Sequence, residues 1–131
     1  MSNFYLSAAG LSGATAVLLG AFGAHALESS LSLQSLVVYH TAVQYHFYHS
    51  LALLGVSITM TLHPTSKLLK VSGNAFILGV ILFSGSLYLY AFSGIGWLGA
   101  VAPLGGLSFV VGWLALVLAA RGDGGTGNDS R

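Results

Sequence analysis

Four stretches of roughly twenty or more residues, Phe4–Leu27, Leu36–Leu62, Val71–Phe92 and Leu98–Ala120, carry no Asp, Glu, Lys or Arg. Each is long enough to cross a hydrocarbon core of about 30 Å as a helix. Lipid tolerates no unsatisfied backbone, so such stretches fold as helices. Charged residues make up 5% of the chain, against roughly 25% in an average soluble domain. A water-facing surface cannot be covered with so few. The expected fold is therefore all-α: a polytopic membrane protein whose residues 1–120 form one four-transmembrane-helix bundle. Residues 121–131, polar and Gly-rich, are expected to be a disordered cytoplasmic tail.

Several function classes fall away on composition. The absence of Cys excludes disulfides, thiolate metal sites and a Cys nucleophile. A formal net charge of +1 offers no basic face for nucleic acid. Ala24-His25-Ala26 resembles a signal-peptidase site, but Met1–Tyr5 lacks the basic region that a signal peptide wants.

Topology follows from the placement of charge. With four spans, the N-terminus, the Leu62–Lys70 loop and the C-terminus share one side. Lys67, Lys70, Arg121 and Arg131 all fall there, and they are the chain's 4 basic residues. The positive-inside rule makes that side cytoplasmic, with both termini in and the region of Glu28, His25 and His40 outside.

The second stretch is the unusual one. VYHTAVQYHFYHSLALL, Val38 to Leu54, packs His40, His46, His49, Gln44 and three tyrosines into the front of an apolar segment. A helix from Leu36 to Leu62 would be about 40 Å long at 1.5 Å per residue, longer than the hydrocarbon core. Either that helix tilts and protrudes or, the reading we favour, it begins as an interfacial piece that turns inward near Ala42; it ends at His63-Pro64, where proline disfavours continuation. Tyr88, Tyr90, Phe92 and Trp97 form the expected aromatic belt at one interface. The short turn Ser93–Gly96 makes its flanking helices antiparallel neighbours. Pro103 is a possible kink.

Two helices carry small residues at steps of three and four: Ala9, Gly13, Ala16, Gly20 and Gly23, then Gly105, Ser108, Gly112, Ala115 and Ala119. Small faces let backbones approach closely in lipid. Packing within the chain is the first expectation, and an oligomer face the second.

Intramembrane imidazoles are costly in lipid and usually face the bundle interior. Three readings compete for His25, His40, His46 and His49, with Tyr45 one turn before His49. They can be neutral cross-links between helices, bonded to carbonyls, Ser84, Ser86 or tyrosines. They can bind haem, another metal or a quinone. They can relay protons in a small transporter, although no intramembrane carboxylate partners them. A Ser/His hydrolase built on Phe83-Ser84-Gly85-Ser86 is weaker, because it needs oxyanion donors and a Ser–His hydrogen bond between helices. The inventory leans away from catalysis.

Gly20–Leu27, Gln44–Leu54, Leu82–Tyr88, and Ala102–Gly106 with Gly112-Trp113 resemble the signature blocks of the domain-of-unknown-function 423 family. That family includes small bacterial inner-membrane proteins and is similar to animal transmembrane protein 256. The resemblance covers nearly the whole chain and implies a four-span membrane protein with no established activity. The matching positions that could carry a role are His25, His49, Ser84, Ser86, Pro103, Gly105 and Gly106. It points to His25 and His49 ahead of His46, where bacterial members often carry Gln. The expected function is a non-catalytic scaffold or accessory subunit. It would bind membrane lipid or another membrane protein, as a homo-oligomer or within a larger complex, in the bacterial inner membrane.

Overall fold

The computed structural model describes residues 1–122, and every element among them is helical. Helix α1, Ser2–Phe22, runs on through a π-helical turn, Gly23–Leu27. Helix α2 is Leu33–Leu62. Helix α3, Lys67–Gly79, continues through a second π-helical turn, Val80–Ser84, into α4, Gly85–Ser93. Helix α5 is Gly96–Gly122. It carries Arg121 and Gly122 within its last turn; the remainder of the expected tail lies outside the described residues.

The boundaries have local causes. Ser32 Oγ accepts from the Ser35 amide at 3.1 Å and starts α2. Ser66 does the same for α3 through the Leu69 amide. Both are N-cap bonds that satisfy an orphan donor. Pro64 follows the end of α2. Gly94, at φ 67°, closes α4 in the left-handed conformation that only glycine adopts freely, its N–H reaching Tyr90 O at 2.8 Å. Helix α5 passes through Pro103 without ending.

One expectation is corrected. Helix α2 is continuous over 30 residues and does not break near Ala42. No Gly or Pro occurs between Leu33 and Leu54. Ala42 is fully buried, and its carbonyl accepts a 2.8 Å bond from Ser84 Oγ across the bundle. Tertiary contact thus holds the backbone helical where composition suggests a turn.

Cross-helix bonds fix the register. Helices α1 and α2 run antiparallel, with Ser57 Oγ donating to Ser2 O, Ser12 Oγ meeting Ser50 Oγ, and Tyr39 OH donating to Leu19 O. Helices α3 and α5 do the same through Ser72 to Gly112 O at 2.8 Å and Ser108 to Ala75 O at 2.7 Å. One apolar core, built from Tyr5, Leu53, Val56, Met60, Leu69, Phe76 and Phe109, fills the half of the bundle nearest the N-terminus. A smaller one, Leu27, Tyr39 and Ala91, closes the opposite end.

Both small-residue stripes are consumed by this packing. A methyl on Gly23 would meet the Tyr39 ring, one on Gly112 the Phe76 ring, and one on Gly105 the Phe83 backbone. Ala9, Ala16, Ala115 and Ala119 are buried in the same seams. Both stripes face inward, as the packing expectation has it.

Among the described residues three continuous helices are long and apolar enough to cross a membrane: Ser2–Leu27, Lys67–Ser93 and Gly96–Gly122. Helix α2 has the length but is less apolar, and it turns several of its polar residues inward, with His40 and Gln44 exposed. Tyr39, His46, His49, Ser50 and Ser57 are all buried, while Val37, Leu51 and Ile58 point outward.

Candidate functional site

His46 and His49 sit between the two cores, on the face of α2 turned toward the other helices. They are 6% and 5% exposed, so neither reaches open lipid along its length. His49 is held on every side. Its ring stacks on Phe109 at a centroid distance of 3.4 Å and 9° between planes, with Phe76, Tyr45 and Trp113 around it. Nδ1 lies 2.7 Å from the Tyr45 carbonyl, which can only accept, so Nδ1 carries the proton. The Trp113 indole N–H, which can only donate, reaches Nε2 at 3.2 Å. The two bonds together define a neutral imidazole with both nitrogens occupied. No lone pair is left for haem iron or another metal. Tyr45 takes part through its backbone carbonyl and through its ring, which lies over His49 and Phe83 while staying half out of the bundle.

His46 is different. Its Nδ1 pairs with Tyr88 OH at 3.1 Å, and among the described residues no hydrogen bond is seen at Nε2. The ring lines an apolar groove of about 300 Å³ between α1, α2 and the helix through Val80, shared with Leu11, Ser12, Leu53, Ile77 and Ile81. No side-chain N or O sealed from the surface lacks a bond among the described residues, so Nε2 keeps some accessible surface on a ring that lines this groove. Directly behind, Ser50 Oγ donates to His46 O at 2.8 Å and so accepts from Ser12 at 2.6 Å.

The other candidates are scattered. His25, in the first π-helical turn, and His40, near the start of α2, are exposed at the opposite end from the N-terminus, and no hydrogen bond links them. His40 touches the Tyr39 ring edge-on. Among the described residues no three of His, Cys, Asp and Glu converge as a metal donor set. Ser86 Oγ bonds back to Phe83 O at 3.0 Å, the within-helix pattern expected for a serine in lipid. Ser84 instead reaches across to α2, so neither serine is paired with an imidazole. Gly105 is buried against the second π-helical turn, Gly106 has ordinary contact with the Phe83 ring, and Pro103 is exposed.

Tyr88 is a further correction. It belongs to the interior as the partner of His46 rather than to the aromatic belt, whereas Phe92 and Trp97 are exposed as a belt requires. Sequence reasoning passed over Trp113 as the donor to His49 and Ser12 and Ser50 as the hydroxyls beside His46. The available signal was Ser50 at four residues from His46, a spacing that puts the two on one helical face.

The relatives found by comparison with known proteins are membrane proteins. A family model described as "Protein of unknown function (DUF423)" matches residues 19–106. The chain is 44% identical over 105 residues to the UPF0382 membrane protein YwdK of Bacillus subtilis, covering 80% of this chain and 85% of that one. It is 38% identical over 119 residues to the UPF0382 inner membrane protein YgdD of Escherichia coli, covering 91% and 90%. The UPF0382 membrane protein of Haemophilus influenzae is 36% identical over 116 residues, covering 88% and 92%. No solved structure matches the chain.

Proposed function

The chain belongs to the DUF423 family of membrane proteins, and on that premise we propose that it is a four-span, non-catalytic accessory subunit of the bacterial inner membrane. In this reading α2 is the fourth span and both termini are cytoplasmic. The observation that carries it is the inward turn of α2. This helix hides His46, His49 and Ser50 in bonds to α4, α5 and α1 and accepts Ser84 at Ala42 O, while its outer face is mainly apolar, with exposed polar side chains that include His40 and Gln44. Polar groups used this way cross-link helices, each bond contributing about 0.6 kcal/mol on average in membranes. They build a fixed scaffold rather than a reacting centre.

Charge placement supports the orientation. Lys67, Lys70 and Arg121 lie at the end of the bundle that also holds the N-terminus, while Glu28 lies at the other. With the small-residue stripes engaged internally, lipid or a partner protein meets the aliphatic outer faces, such as Leu107, Val110, Leu114 and Leu118 of α5. Paired reporter fusions test the topology. A cytoplasm-active reporter placed after Arg131 or within 63–67 gives signal, and a periplasm-active one there is silent. The reverse pattern, or a signal of opposite sidedness at the two positions, overturns the four-span reading.

A further inference from the structure

We propose that the groove beside His46 is a binding site for an isoprenoid-quinone type of molecule, whose ring carbonyl accepts a hydrogen bond from His46 Nε2. The inference begins with the proton on that ring. Tyr88 OH has a single acceptor within reach, His46 Nδ1. A phenol donates far more readily than it accepts, so Tyr88 gives its proton to Nδ1. The neutral ring then carries its own proton on Nε2. The result is an N–H donor on the wall of an apolar groove, on a side chain only 6% exposed. A donor left without an acceptor in such surroundings is unfavourable, and a ligand carbonyl relieves it.

The hydroxyls on either side leave no alternative donor. Ser12 directs its proton to Ser50, Ser50 to His46 O, and Thr15 to Leu11 O. The groove therefore offers one donor, set among Leu11, Leu53, Ile77, Val80 and Ile81. A ligand that matches it has a carbonyl at one point and apolar surface elsewhere. A groove volume of about 300 Å³ sits at the small end of ordinary ligand pockets.

Depth selects among carbonyl-bearing lipids. His46 lies near the middle of the 30-residue α2, level with Ser12 in α1 and Ile81 in the second π-helical turn. This step rests on the proposal that α2 is a span. Phospholipid ester carbonyls sit at the edge of the hydrocarbon core, about 15 Å from its centre when the core is about 30 Å thick. A quinone head carries its carbonyl without a charged headgroup and can enter at mid-depth.

The test uses the full chain in nanodiscs titrated with decylubiquinone, with empty nanodiscs as the reference and methyl oleate as the ester competitor. Saturable retention of one quinone per chain is expected, unaffected by methyl oleate. His46→Phe removes the donor. Ile81→Trp blocks the groove from its lipid-exposed rim, where Ile81 is 61% exposed, and so leaves the core intact. Each variant is expected to weaken retention at least ten-fold. Partition equal to that of empty nanodiscs, binding untouched by Ile81→Trp, or displacement by methyl oleate would each overturn the assignment. Correct sidedness in the reporter fusions together with no quinone retained would overturn this inference alone.

Discussion

Gly105 and Gly106 are adjacent, yet the structure assigns them opposite responses to the same added methyl. At Gly105 a Cβ would stand 2.7 Å from Phe83 Cα and 2.7 Å from Phe83 Cβ, and nearer still to the Phe83 backbone nitrogen. Backbone inside a π-helical turn cannot rotate out of the way as a flexible side chain can. Overpacking of this kind costs typically about 1–3 kcal/mol, and a backbone collision belongs at the upper end. The better helix propensity of alanine offsets about 1 kcal/mol of it. Gly105→Ala is thus expected to destabilise by about 2 kcal/mol. At Gly106 the added carbon finds only Phe83 ring atoms at 3.8 and 3.9 Å, which is ordinary contact. Gly106→Ala is expected to be neutral or to stabilise by up to about 1 kcal/mol. Reversible unfolding in mixed micelles with rising dodecyl sulfate, followed by far-ultraviolet circular dichroism, measures both. Equal stabilities within about 0.5 kcal/mol, or Gly106→Ala as the worse variant, would refute the placement of α5 against the second π-helical turn.

Three further perturbations probe individual cross-links in the same unfolding assay. Ser84→Ala removes the bond to Ala42 O but leaves that carbonyl in its own helix, so the loss should be about 0.6 kcal/mol and no more than about 1.7. Trp113→Phe keeps the ring packing but strands buried Nε2 of His49, which should cost about 1–3 kcal/mol and shift the ¹⁵N resonance of that nitrogen. Tyr39→Phe retains the ring over Gly23 and loses only the bond to Leu19 O, an expected loss of about 1 kcal/mol; a loss above about 3 kcal/mol would mean that the ring itself had moved.

Much of this fold is readable in the chain because lipid imposes simple rules. Uncharged length predicts the helices, Pro64 and Gly94 punctuate them, and the three- and four-residue spacing of small side chains predicts the seams in which Gly23, Gly105 and Gly112 now lie. The inward orientation of His46 and His49 follows from the expense of imidazole in hydrocarbon. What could not be read is rotation and register between helices. Which aromatic faces which imidazole depends on both, so Trp113 and Tyr88 emerge as partners only in three dimensions. The continuity of α2 was hidden for a related reason. Its polar front looks interfacial until Ser84, 42 residues away, is seen bonded to Ala42. The two π-helical turns carry no local sequence mark, and they set the phase of everything after them.

The most direct test is the protonation pattern of His49 in ¹⁵N-labelled protein held in a bilayer mimic. With the polar side of α2 turned inward and bonded, Nδ1 appears protonated and Nε2 appears as an unprotonated acceptor whose shift moves in Trp113→Phe. A proton on Nε2, or protons on both nitrogens, would contradict the packing described here.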